Sequence, residues 1–148
     1  MNTADTGLPR RGFLAVSAGA LLVCLPGCAS LASVTLPATG GRMQLVPRNH
    51  PGLEGPGGFL KVRPEGWDLP VYVLRDETGG FTALSPVCTH LGCVVEVEGR
   101  TLVCPCHGST YGRSGDVMQG PAERALRRFP TVLENDGTLL IDITGGER

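Results

Sequence analysis

Residues 88–109 read CTHLGCVVEVEGRTLVCPCHGS. They hold two short boxes, Cys88-Thr89-His90-Leu91-Gly92-Cys93 and Cys104-Pro105-Cys106-His107-Gly108-Ser109. Each box carries two thiols and one imidazole, spaced Cys-x-His in the first and Cys-x-x-His in the second. Four cysteines and two histidines could also hold zinc. Zinc fingers, however, usually pair two cysteines in one box and two histidines in the other. The mixed boxes suit a binuclear iron–sulfur cluster in which one iron takes two thiolates and the other two imidazoles. Each loop then gives one ligand to each iron. Two unrelated disulfides with incidental histidines would leave the symmetric placement unexplained.

The flanking sequence predicts short strands. Phe59 to Arg63, Leu69 to Arg75 and Phe81 to Leu84 are apolar runs, and Val71-Tyr72-Val73-Leu74 is β-branched and aromatic as strands prefer. Asp76 to Gly80 reads as the turn of a hairpin. Val94 to Glu98 alternates apolar and acidic residues, and Gly99 turns it into Arg100 to Val103. Each box therefore follows a strand and sits on a loop at its end. Asn135-Asp136-Gly137 between Thr131–Glu134 and Leu139–Ile143 is a strong hairpin signal. No segment after residue 40 has a helical period. The expected fold is all-β, an antiparallel sandwich or small barrel with two cluster-binding loops, spanning residues 58–148. Residues 29–57 are rich in Gly and Pro and read as a flexible tether, with one short strand around Met43 to Val46. His50 lies there, and as a lone loop histidine it receives no role.

The two boxes resemble, residue for residue, the signature of the Rieske proteins of the cytochrome bc family. The resemblance covers roughly Val71 to Ile143. It implies one 2Fe-2S cluster with thiolate ligands Cys88 and Cys104 and imidazole ligands His90 and His107. It also implies a disulfide between Cys93 and Cys106 that clamps the two loops. Rieske-type ferredoxins and ring-hydroxylating oxygenases generally lack that pair, so the resemblance is to the high-potential branch. There, Ser109 and Tyr111 correspond to hydrogen-bond donors that raise the potential, to a bridging sulfide and to the sulfur of Cys88 respectively. Leu91 corresponds to the shield at the docking tip, and Gly120-Pro121-Ala122 to a covering loop, with Glu123 where a second proline often stands. Arg124, Arg127 and Arg128 read as a solvated face, able to bias docking toward an acidic partner.

The function implied is one-electron transfer, as the iron–sulfur subunit of a quinol:cytochrome c (or plastocyanin) oxidoreductase. The donor would then be a quinol at a cytochrome b-type partner and the acceptor a c-type cytochrome or similar carrier. Two alternatives stand beside it: a stand-alone exported or lipidated carrier, and the small subunit of a periplasmic molybdenum oxidoreductase such as arsenite oxidase. None of these asks for bond-making catalysis in this chain.

The N-terminal residues 1–28 read as a targeting segment. Arg10-Arg11-Gly12-Phe13-Leu14 resembles a twin-arginine export signal, and no charge occurs from Gly12 to Gly41. The most apolar stretch, Phe13 to Leu25, is short against the ~20 residues of a spanning helix. Leu25-Pro26-Gly27-Cys28 resembles a lipobox, which would leave Cys28 lipidated. Uncleaved anchoring, lipidation at Cys28 and plain cleavage all remain open; each places the domain outside the cytoplasm, the first two at the membrane. With 13 basic and 14 acidic residues the net charge is −1, which gives no electrostatic case for nucleic acid.

Overall fold

Val71-Tyr72-Val73-Leu74 is buried at every position. Strand side chains alternate between two faces, so burial throughout means that something covers each face. Val71 and Val73 face a core with Met43, Leu45, Leu60, Val62, Phe129, Leu139 and Ile141. Tyr72 and Leu74 face a second core with Leu84, Val95, Leu102, Tyr111 and Leu126. The fold is therefore three layers with this strand in the middle one.

The computed structural model describes Met1 and residues 33–144. The twin-arginine run, Cys28 and the start of the expected tether lie outside the described residues. Twelve strands occur within them: β1 Ser33–Leu36, β2 Arg42–Leu45, β3 Phe59–Pro64, β4 Val71–Arg75, β5 Phe81–Leu84, β6 Glu96–Glu98, β7 Thr101–Val103, β8 Thr110–Gly112, β9 Val117–Gln119, β10 Arg128–Phe129, β11 Thr131–Leu133 and β12 Leu139–Asp142. The middle sheet runs β1-β3-β4-β5-β10, and β11-β12-β2 covers one face. The four-stranded sheet β6-β7-β8-β9 covers the other and carries the two boxes, one before its β6 and one between its β7 and β8. No helix among the described residues is long and apolar enough to cross a membrane.

The all-β expectation holds, with two corrections. One pair is parallel: β1 lies beside β3 with Ser33 opposite Lys61. The domain also begins well before residue 58. Met43 and Leu45 on β2 are buried, as is Leu53 in the second of two 3-10 turns, Pro47–Asn49 and Pro51–Leu53. Gly and Pro in this stretch shape tight turns against the core rather than a free tether. Alternation in Arg42-Met43-Gln44-Leu45, exposed and buried by turns, was the available signal.

The layer with the boxes rests on β4 through packing and one buried hydrogen bond. Tyr72 Oη donates to the carbonyl of Val95 at 2.9 Å, and the Tyr72 ring meets Phe59 edge-on at 5.1 Å. Leu74 is 1% exposed between these layers. We expect Leu74→Ala to cost about 2–5 kcal/mol of unfolding free energy in chemical denaturation. Leu133→Ala, on the half-exposed β11, should stay within about 0.5 kcal/mol. Equal effects at the two positions would contradict the three-layer packing.

Candidate metal centre

The two boxes fold as twins. In the first, the N–H of Cys88 donates to the carbonyl of Cys93 at 2.8 Å, and the N–H of Gly92 to the carbonyl of Cys88 at 2.9 Å. In the second, the N–H of Cys104 donates to the carbonyl of Ser109 at 2.8 Å, and the N–H of Gly108 to the carbonyl of Cys104 at 2.9 Å. Both turns need a left-handed residue at the fifth position, and Gly92 (φ 80°) and Gly108 (φ 75°) supply it. The equal spacing of the glycines thus reflects equal backbone geometry.

Cys93 and Cys106 form a disulfide that joins the two loops. It commits one cysteine of each box and leaves Cys88 and Cys104 as buried free thiols. Cys104 Sγ lies within 4.8 Å of both disulfide sulfurs, but those two are bonded to each other and have no lone thiolate to offer a metal. The His90 and His107 rings stand 4.8 Å apart and perpendicular. Nδ1 of His90 is buried without a hydrogen-bond partner. A buried imidazole nitrogen normally finds one, so this atom's lone pair is free to bind a metal ion. Two free buried thiols, two adjoining imidazoles and this orphaned nitrogen fit a cluster with mixed sulfur and nitrogen ligation.

Around these donors lies a hydrogen-bond network. Tyr111, fully buried on β8, sets its Oη 3.2 Å from Cys88 Sγ and 3.1 Å from Thr89 Oγ1, and accepts from the N–H of Thr89 at 3.2 Å. Thr89 Oγ1 gives its only hydrogen to the carbonyl of Arg124 at 2.6 Å. The phenol hydrogen is therefore left to Cys88 Sγ and Thr89 Oγ1. Burial pushes the Tyr111 phenol above its ordinary value, and the Cys88 sulfur pushes the same way, so it stays a donor. Burial also opposes ionisation of Cys88, but hydrogen bonds from Tyr111 and from the backbone of His90 outweigh it. The Cys88 thiol is held below its ordinary value as a result. Ser109 is buried and its Oγ accepts from the N–H of Ala122 at 2.9 Å, which leaves its own hydrogen to donate elsewhere. Ala122 belongs to the proline-containing loop expected to cover the site.

Thr89 had escaped sequence reasoning. Between two candidate ligands a threonine reads as a spacer, and nothing local signals that it ties Tyr111 to the loop at Arg124. Leu91 stands 68% exposed at the tip, where an apolar side chain has no core to join.

Against known families, residues 55–130 match the Rieske [2Fe-2S] domain. The chain belongs to that family. It is 40% identical over 75 residues to the cytochrome b6-f complex iron-sulfur subunit of Prochlorococcus marinus (strain MIT 9215), across 48% of this chain and 42% of that protein. It is 35% identical over 104 residues to the putative respiratory nitrate reductase subunit Rieske of Haloferax mediterranei, across 68% of this chain and 47% of that protein. The chain thus spans about half the length of the curated relatives it matches. A solved structure described as a complex of reduced oxygenase and oxidized ferredoxin in carbazole 1,9a-dioxygenase aligns with a TM-score of 0.54 at 19% identity, over 70% of this chain and 94% of that one, a likeness of fold. A Rieske-domain chain carries one Rieske-type 2Fe-2S cluster and transfers electrons.

The disulfide closes a segment with a sequence separation of 13. For a loop of roughly that size the cross-link contributes about 3 kcal/mol. Replacing both cysteines, Cys93→Ala with Cys106→Ala, should lower the unfolding free energy by about that much in urea titration. An unchanged midpoint would mean that the loops are held together without it.

Proposed function

We propose that Cys88 and Cys104 hold one iron of the cluster and His90 and His107 the other. The observation that carries this is the pairing of two free buried thiols with two perpendicular imidazoles on twin loops, one of them with an orphaned Nδ1. A cluster of this type supplies a one-electron couple. The chain's own residues set its environment. With the cluster bound, Tyr111 would donate toward the Cys88 sulfur and Ser109 would have its hydrogen to offer the cluster, and both bonds would strengthen when negative charge is added. The cross-linked loops keep the donors in place as the charge changes. His107 is exposed, so an imidazole edge is open to a partner.

The working reading is a high-potential electron-transfer subunit of a quinol:cytochrome c (or plastocyanin) oxidoreductase. Likeness to the b6-f subunits supports it, and so do the disulfide and the two donors. A cytochrome b-type complex would then deliver the electron from quinol, and a c-type cytochrome or similar carrier would take it. Likeness to the Haloferax mediterranei protein favours a second reading, service to a different oxidoreductase. The disulfide also supports an oxidising compartment. With Arg10-Arg11 this favours export by the twin-arginine route to the outer face of the membrane, held there by residues 1–28 or by lipid on Cys28.

Rieske potentials span about −150 to +300 mV. Redox titration of the cluster-loaded protein should place this one in the upper part of that range, and a value below about −100 mV would contradict the reading. Tyr111→Phe removes a donor that favours the reduced state by on the order of 1 kcal/mol. The potential should drop by roughly 40 mV, since a one-electron couple moves about 59 mV for each 1.4 kcal/mol. Co-purification of a b-type cytochrome with the full chain distinguishes the first reading from the second.

A further inference from the structure

Beside His90 runs a groove of about 530 Å³, bordered by Thr89, His90 and Leu91 on the cluster side and by Arg124 and Arg127 opposite. Both arginines are fixed through the backbone, Arg124 to the first box and Arg127 to the chain just before it. The Arg124 carbonyl accepts from Thr89 Oγ1 at 2.6 Å, and the Arg127 carbonyl accepts from the N–H of Ser85 at 2.8 Å. The Arg127 guanidinium is stacked over Phe129 at 5.1 Å, and its Nε is buried with no hydrogen-bond partner. Neither arginine has an ion pair among the described residues. The three pairs found there use Arg42, Arg100 and Arg128, so Arg128 is neutralised by Asp116 while its neighbour Arg127 is not. Glu123 is the acidic neighbour in sequence; it is exposed and does not line the groove. Two uncompensated positive charges thus lie beside the exposed Leu91 tip and the partly buried His90, on a chain whose net charge is −1.

The geometry points to Arg124 and Arg127 as the recognition residues for an acidic protein that takes the electron from this tip. This rests on the proposed function and names the chemistry of its partner. Guanidinium groups bind carboxylates bidentately and keep their charge at any working pH. Pinned close to the electron exit, they orient an approaching acidic face so that its redox centre meets the exposed tip, and they raise the encounter rate. The local charge thereby overrides the weak opposite charge of the whole chain. A basic partner finds no such match here.

The test uses the full, cluster-loaded, reduced chain and stopped-flow oxidation by probes of opposite charge. These are hexacyanoferrate(III) against tris(phenanthroline)cobalt(III), and an acidic plastocyanin against a basic cytochrome c. Raising ionic strength from about 10 to about 150 mM shortens the screening length from roughly 30 to 8 Å. Oxidation by hexacyanoferrate and by plastocyanin should slow at least threefold over that range, while the cationic probes should not slow. Arg124→Gln with Arg127→Gln should lower the low-salt rate with the anionic probes at least threefold and flatten its salt dependence. Potential and visible absorbance should be unchanged in that variant. Arg100→Gln, which removes an equal charge from a residue that does not line the groove, should change none of these rates. Anionic probes that speed up with salt, or rates that Arg100→Gln alters as much as the groove variant does, would overturn the assignment. In those cases the cluster would still exchange electrons and the proposed function would stand. A protein that no probe oxidises would overturn both.

Discussion

The layer that carries the metal site is seated on the middle sheet through the central strand β4. Tyr72 and Leu74 of β4 enter it from below, while Val71 and Val73 of the same strand anchor the opposite layer. Because side chains alternate along a strand, a one-residue slip of β4 would exchange the two sets and present valines to the cluster side. The Tyr72 bond to the carbonyl of Val95 helps fix the register. Val95 in turn donates its N–H to the carbonyl of Pro86, two residues before Cys88. Through this chain the position of the first box is set by the packing of the middle sheet.

Above that base, the two loops meet a demanding condition: donors from separate hairpins must converge on one small volume. Three features meet it together. The shared turn geometry with Gly92 and Gly108 gives both loops one shape. The Cys93–Cys106 bond fixes their separation. The Tyr111–Thr89–Arg124 contacts tie the first loop to β8 and to the segment leading to β10. Stiffness of this kind matters for electron transfer, since a site that moves little when its charge changes needs little reorganisation. The price is a pair of buried polar contacts that must remain satisfied, and Tyr111 and Ser109 each satisfy a backbone N–H besides serving the site.

Much of this was legible in the sequence. The boxes announced two loops that bring thiols and imidazoles together, through residue types that have few other reasons to recur in that pattern. Val71 to Leu74, and the hairpin around Asn135-Asp136-Gly137, announced themselves by β-branched content and turn chemistry. What stayed hidden is non-local. β1 is a parallel edge strand, held by a partner nearly thirty residues away in sequence, and Ser33-Val34-Thr35-Leu36 carries no signal of that partner. The three-residue β8 and β9 and the two-residue β10 are too short to show a period. The early core positions Met43, Leu45 and Leu53 sit among so many Gly and Pro residues that composition suggested a tether. At the site itself, Thr89 and the unpaired state of Arg127 emerge only from tertiary contacts.

The central claim is that one cluster is held unequally, by two thiolates on one iron and two imidazoles on the other. Mössbauer spectroscopy of the iron-57-enriched protein tests it most directly. The account predicts two inequivalent iron sites in equal amounts, with the electron added on reduction localised at the nitrogen-ligated one. A single iron environment, or two irons both with all-sulfur parameters, would contradict it.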